Sequence, residues 1–137
     1  MRSFTKVHTN HCDPCKKETL CPKIIRSGYS GLTVIPAGTI LGTTFTVNSL
    51  TIDNSSLDNS CIKISFSSNI LSEDFEGTLV FQFYKYGREK NIKIPVGPQW
   101  TFSVKASEAK AVSFSVYDCD LADNSYYTYV VTAKVAY

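Results

Sequence analysis

Period two runs through this chain wherever its apolar residues gather. Ile62, Ile64 and Phe66 alternate with Lys63 and Ser65, and Leu79, Phe81 and Phe83 repeat the pattern. Trp100, Phe102 and Val104 alternate with Thr101 and Ser103, then Val112, Phe114 and Val116 with Ser113 and Ser115. Successive side chains leave a strand on opposite sides, so this spacing belongs to strands with one buried face. The three-to-four-residue spacing of an amphipathic helix is missing. Residues 105–111 could form one helical turn, but a solvated connection is the plainer reading. The chain is expected to be all-β.

Turn chemistry divides the strands. Residues 31–35 read as a strand running into Pro36-Ala37-Gly38, a type I turn with proline second and glycine last. A long run through Phe45, Val47, Leu50 and Ile52 ends at a polar loop over 53–60. Ile92 and Ile94 make a short strand before Pro95-Val96-Gly97-Pro98. The last run, 126–137, is rich in Tyr, Val and Thr, which are good strand formers. About eight strands result, and 137 residues suffice for one domain that buries roughly two-thirds of its unfolded surface. These features predict an antiparallel jelly-roll-like β-sandwich. An immunoglobulin-like sandwich ranks second, because Cys61, Trp100 and Cys119 have the wrong spacings for its Cys–Trp–Cys framework.

Residues 1–21 differ from the remainder. They are polar, hold both histidines, His8 and His11, and contain the breaker pair Asp13-Pro14. They read as a flexible N-terminal connector bearing Cys12, Cys15 and Cys21, with the β-sandwich domain occupying 22–137. The N-terminal residues lack the apolar core of a secretory signal. Nor does any apolar run approach the roughly 18 residues of a membrane-spanning helix. A net charge of +2, with no basic stripe, argues against nucleic acid as a partner.

The body offers little for catalysis. It contains no histidine, so neither a Ser-His-Asp nor a Cys-His arrangement can be built within it. It has no phosphate-binding loop signature, and its carboxylates read as solvated loop charges. His8, His11, Cys12 and Cys15 are possible zinc ligands, but they crowd into eight residues where zinc modules separate two pairs by a loop. Cys12-Asp13-Pro14-Cys15 has the CxxC form of a redox motif without the strand and helix start such a site needs. Asp118, Asp120, Asp123 and Asn124 read as a polar turn rather than a calcium loop. Asn54-Ser55-Ser56 matches a glycosylation sequon, and the tyrosines at 126, 127, 129 and 137 read as strand formers rather than a stacking platform. No catalytic residue, metal or cofactor is expected.

Five cysteines are an odd number, so within one chain they cannot all pair. Cys61 and Cys119 fall on the outward parity of their runs, at strand ends beside polar loops. A buried cysteine acting as a small hydrophobe would share the core parity instead. Three readings follow. Arm cysteines bond body cysteines of other copies, Cys61 and Cys119 bridge each other within the chain, or the two are an incidental pair of free thiols.

The stretches Val34-Ile35-Pro36-Ala37-Gly38-Thr39, Leu50-Thr51-Ile52-Asp53, Cys61-Ile62-Lys63, Pro95-Val96-Gly97-Pro98-Gln99-Trp100-Thr101-Phe102 and Asp118-Cys119-Asp120 resemble a family of small clostridial proteins of unknown function. The resemblance covers most of 22–137. The layout, a short cysteine-bearing leader before a jelly roll, also resembles the endospore appendage subunits of bacilli. In that family subunits stack edge to edge, and connector cysteines bond to body cysteines of neighbours. The resemblance implies Cys12 and Cys15 as connector thiols, with Cys61 and Cys119 as acceptors. The connector there often has adjacent cysteines, whereas two residues separate Cys12 from Cys15, and Cys21 has no counterpart role.

The resulting expectation is a non-enzymatic structural subunit that self-assembles into a fibre or spore-surface layer. Edge-strand pairing and inter-subunit disulfides among Cys12, Cys15, Cys21, Cys61 and Cys119 would join the copies. Its partners would be copies of itself, at a spore or cell surface, assembled inside a mother cell without a signal peptide. The alternative is a surface-attached module binding carbohydrate or another ligand.

Overall fold

The computed structural model describes residues 2–10, 23–53, 61–73, 75–87, 92–119 and 126–136. Among them lie eight strands: β1 (Arg2–Asn10), β2 (Lys23–Leu32), β3 (Thr44–Asp53), β4 (Cys61–Leu71), β5 (Gly77–Tyr86), β6 (Lys93–Val104), β7 (Ala109–Asp118) and β8 (Tyr126–Val135). They form two four-stranded sheets, ordered β2-β1-β4-β7 and β3-β8-β5-β6. Every neighbouring pair is antiparallel. The described residues form no helix. The expected all-β sandwich is the observed fold.

Alternation places the core between the sheets. In β4 the even positions Ile62, Ile64 and Phe66 are fully buried, while β5 contributes Leu79, Phe81 and Phe83, and β8 Tyr129 and Val131. Phe114 of β7 is the hub. Its ring centroid lies 5.2 Å from those of Phe66, Phe83 and Trp100, and 5.7 Å from that of Phe81. Burying one such ring stabilises by roughly 1.5–3 kcal/mol, and each favourable ring pair adds to that.

The strand order is that of a jelly roll with one substitution. Counted from β2, the second sheet takes the second, seventh, fourth and fifth strands, and the first sheet takes the first, third and sixth. In a jelly roll the place between first and third belongs to the last strand of the chain. Here β1, the first strand of all, fills it.

This corrects the reading of 1–21 as an arm: Arg2–Asn10 is an interior strand, and residues 11–22 lie outside the described residues. Hydrogen bonding to β2 on one side and β4 on the other needs no apolar periodicity. The register sets Ser3, Thr5, Val7 and Thr9 opposite the core positions Ser68, Phe66, Ile64 and Ile62. Period two is therefore present in β1, written almost wholly in polar residues.

Other boundaries also move. Pro95-Val96-Gly97-Pro98 does not separate two strands but lies inside β6. β6 is a sheet edge, where a proline costs no ladder bond on the open side. The register shifts between Phe81 and Phe83 opposite that stretch, and Gly97 takes φ +73°. Gln82 is buried there, and its amide donates to the carbonyls of Val96 and Gly97. Of the strand expected over 31–35, only Gly31 and Leu32 belong to the longer β2, and Thr33, Val34 and Ile35 lie beyond it. Gly38 has φ +77°, which suits the third position of a turn, so that turn spans residues 36–39 rather than 35–38. Thr39 closes it by donating its hydroxyl to the Pro36 carbonyl. Residues 105–108 form a tight connection, as expected, in which the Lys105 amide donates to the Glu108 carboxylate at 2.8 Å.

Gly97 carries a specific constraint. A Cβ there would stand 2.4 Å from Cγ2 of Val116 on β7. Gly97→Ala is expected to lower unfolding stability by about 2 kcal/mol through this clash and the positive φ. In urea unfolding, adding Val116→Ala to that variant should cost less than Val116→Ala alone, because it removes the clashing methyl.

Candidate functional site

Antiparallel pairing collects particular strand ends at one pole of the sandwich. Asn10 pairs with Lys23 and with Cys61, Ile62 with Asp118, and Asp53 with Tyr126. Cys61 opens β4, and Cys119 follows the last residue of β7. Their sulfurs are bonded at 2.05 Å. Of the readings of these cysteines, the structure of the single chain shows the bridge between them. Outward parity was read rightly, since Cys61 is half-buried and Cys119 exposed. Pairing across β4 and β7 brings the two outward positions together. The bridge lies within one sheet and joins neighbouring strands, unlike the inter-sheet bridge of immunoglobulin domains. Its sequence separation of 58 residues corresponds to about 4 kcal/mol of loop-closure stabilisation.

Beneath the bridge sits the most polar part of the interior. Asp118 accepts from Lys85 Nζ at 3.2 and 3.0 Å and from Tyr129 Oη at 2.7 Å. All three residues are buried, Lys85 at 3% exposure and Asp118 at 6%. Asp118 belongs to β7 of the first sheet, whereas Lys85 and Tyr129 belong to β5 and β8 of the second. The cluster therefore joins the sheets. Lys85 Nζ also lies 5.0 Å from the centroid of the Tyr127 ring, close enough for a cation–π contact. Burial, then the hydrogen bond to Asp118, then the charges of Asp118 and Tyr127, push the Tyr129 phenol well above the ordinary range. It stays a neutral donor.

Sequence reading took the carboxylates as solvated loop charges, and Asp118 is the exception. A signal was present: Lys85 continues the core parity of Leu79, Phe81 and Phe83, and Asp118 that of Val112, Phe114 and Val116. Two opposite charges extending two core stripes mark a buried pair. Asp118 is thereby occupied with Lys85 and Tyr129, while Asp120, Asp123 and Asn124 lie outside the described residues.

The connector cysteines Cys12, Cys15 and Cys21, together with His11, also lie outside the described residues, as does Asn54-Ser55-Ser56. His8 occupies a β1 position paired with Lys63 and Ile25. Among the described residues no group of three or more His, Cys, Asp or Glu is placed to hold a metal ion. No helix among them is long and apolar enough to cross a membrane. At the far pole, where Arg2 pairs with Leu32 and Asn69, the aliphatic side chains of Leu32, Val34, Ile40, Leu41 and Leu71 are 60–79% exposed.

What fold and poles define is a jelly-roll sandwich with a disulfide and a buried ion pair at one end, where Ile92 and Ile94 are also exposed, and a larger group of bare aliphatic side chains at the other. The chain belongs to the family described as "Domain of unknown function (DUF4489)", which matches residues 21–137. No curated protein and no solved structure matches it. β1 precedes the matched residues.

Removing one member of a buried ion pair strands its partner, at about 3–5 kcal/mol. Lys85→Met should lower unfolding stability by about 3 kcal/mol. Lys85→Met with Asp118→Leu and Tyr129→Phe should regain most of that, read from urea midpoints. In the folded chain Tyr129 holds its proton to higher pH than in the unfolded chain. Its contribution is thus complete below about pH 10 and declines as pH rises further. Tyr129→Phe should flatten this alkaline loss in pH-dependent unfolding.

Proposed function

We propose that the chain is a structural subunit that assembles with copies of itself into a fibre or layer at a spore or cell surface. The observation that carries this reading is cysteine arithmetic. Cys61 and Cys119 satisfy each other, so Cys12, Cys15 and Cys21 are left, and three thiols cannot all pair within one chain. Cys12 follows Asn10 by two residues, a reach of at most ~7 Å. Asn10 pairs with the bridged Cys61, so the leader's thiols start at the pole that holds the bridge.

The chemistry of linkage needs no external oxidant. A thiolate of Cys12 or Cys15 from one copy attacks the sulfur of Cys119, an exposed residue, in another. A new S–S bond forms between copies, the Cys61–Cys119 bond breaks, and Cys61 departs as the thiolate. Non-covalent contacts have surfaces available. Exposed aliphatic groups at the opposite pole suit burial against a neighbour. β7 is an edge that contains no proline and pairs with β4 without a register shift, whereas the β6 edge carries Pro95 and Pro98. A head-to-tail contact between two unlike poles continues indefinitely unless its rotation closes. Resemblance to the endospore appendage subunits, a cysteine-bearing leader before a jelly roll, supports the same reading.

The test is electron microscopy and non-reducing gel electrophoresis of the purified full chain. Detergent-resistant particles many subunits long are expected without reductant. Replacing Cys12, Cys15 and Cys21 together by serine should remove the detergent resistance and leave the monomer's Cys61–Cys119 bridge intact. A protein that stays monomeric at high concentration, with and without reductant, ends the reading.

A further inference from the structure

We infer that β1 is an exchangeable strand, and that the place between β2 and β4 is a slot which receives the β1 of a second copy. The inference deepens the assembly reading and rests on it for the claim that copies meet at all.

The geometry points to this through topology. β1 is hydrogen-bonded on both sides, from Arg2 to Asn10 against β2 and again against β4. Since β2 and β4 are each antiparallel to β1, they run parallel to each other and are separated by a full strand width. Remove β1 and two interior edges open, each with a row of unpaired amides and carbonyls. The slot therefore specifies its occupant: an extended segment antiparallel to both walls. The family match begins at residue 21, so the matched domain supplies the walls and not the strand that fills them.

Backbone pairing ties β1 to β2 and β4 along its whole length. Of the positions set opposite the β4 core, Ser3, Thr5, Val7 and Thr9, only Val7 is a hydrophobe. β4 itself places Ile62, Ile64, Phe66 and Ile70 in the core, each at 5% exposure or less. Main-chain bonds are the same whichever copy donates the strand, so the cis and trans states differ little in contact energy. The connection to β2 spans residues 11–22, far longer than the two to five residues of a tight hairpin. Fully extended, twelve residues reach about 40 Å, which is enough to pass a strand to a neighbour. Each copy that donates β1 leaves its own slot open for the next, and the series propagates as a linear polymer. In either state the register delivers Asn10 to the Cys61 of whichever copy owns the slot. The leader's thiols then follow the strand to the recipient's bridge.

Lys6 and Ser65 are directly paired across β1 and β4. The test uses the full chain with Cys12, Cys15 and Cys21 replaced by serine, carrying Lys6→Cys and Ser65→Cys together. It is refolded at high concentration, oxidised, and run denatured without reductant. Exchange predicts a covalent ladder of dimers, trimers and higher species. A mixture of the two single variants, Lys6→Cys and Ser65→Cys, should give heterodimers whose cross-link maps to residues 6 and 65. A ladder that stops at a dimer upholds exchange and ends the linear polymer. A covalent monomer alone, with no heterodimer in the mixture, overturns exchange. If the unsubstituted chain still forms particles, the assembly reading survives on edge pairing. If it forms none, that reading fails as well.

Discussion

The structure depends on a sheet that cannot close without its first strand. β2 and β4 face each other across a gap of one strand and run parallel, so neither can satisfy the other's main-chain groups without abandoning its packing on the second sheet. A buried amide or carbonyl left unpaired costs free energy comparable to a lost hydrogen bond, and the gap would leave a row of them. β1 supplies these partners along both of its edges. The N-terminal residues are therefore an integral part of the fold despite a composition resembling that of a leader.

How much of this was legible depends on what each element is made of. β4, β5 and β7 were readable because their core faces are written in Ile, Leu, Val and Phe, and the structure buries those residues. β1 was hidden because an interior strand at the poorer end of a sandwich can alternate Ser, Thr and Val against polar residues, a pattern that reads as no pattern. β6 was split because Pro95 and Pro98 argue against a central strand, and sequence alone does not reveal that this strand is an edge. The expected count of about eight came out right through compensation, with one strand missed and another divided. Cys61 and Cys119 were correctly placed on outward positions, but their adjacency follows from the β4–β7 register, which parity cannot supply. Lys85 and Asp118 were legible in principle, each one step beyond a core stripe, but Asp118 was read as part of a polar turn and Lys85 was passed over.

Those two residues show how the sandwich divides into unequal halves. The ion pair and Tyr129 connect β7 with β5 and β8, while the disulfide fastens β4 to β7 at the same pole. The aromatic cluster around Phe114 fills the space between these strands. The remaining corner is built differently. Gly28 of β2 approaches Leu50 of β3 closely enough that a Cβ would stand 3.2 Å from it, and the polar Asn48 is buried nearby.

The fastening of β4 matters for any process in which β1 leaves. Losing a strand from the middle of a uniformly packed sheet would expose core on both sides and unfold the domain. Here the wall formed by β4 is secured to β7 by a bridge and through β7 to the second sheet by a buried charge pair, so its edge keeps its shape while unpaired. β2, the other wall, yields more easily because it has only β1 as a sheet neighbour. A rigid wall that holds register beside a compliant one that admits a strand is the arrangement that strand capture requires. In strand exchange the polar cluster at the cysteine pole would act beyond stability, by fixing the edge against which the incoming backbone pairs.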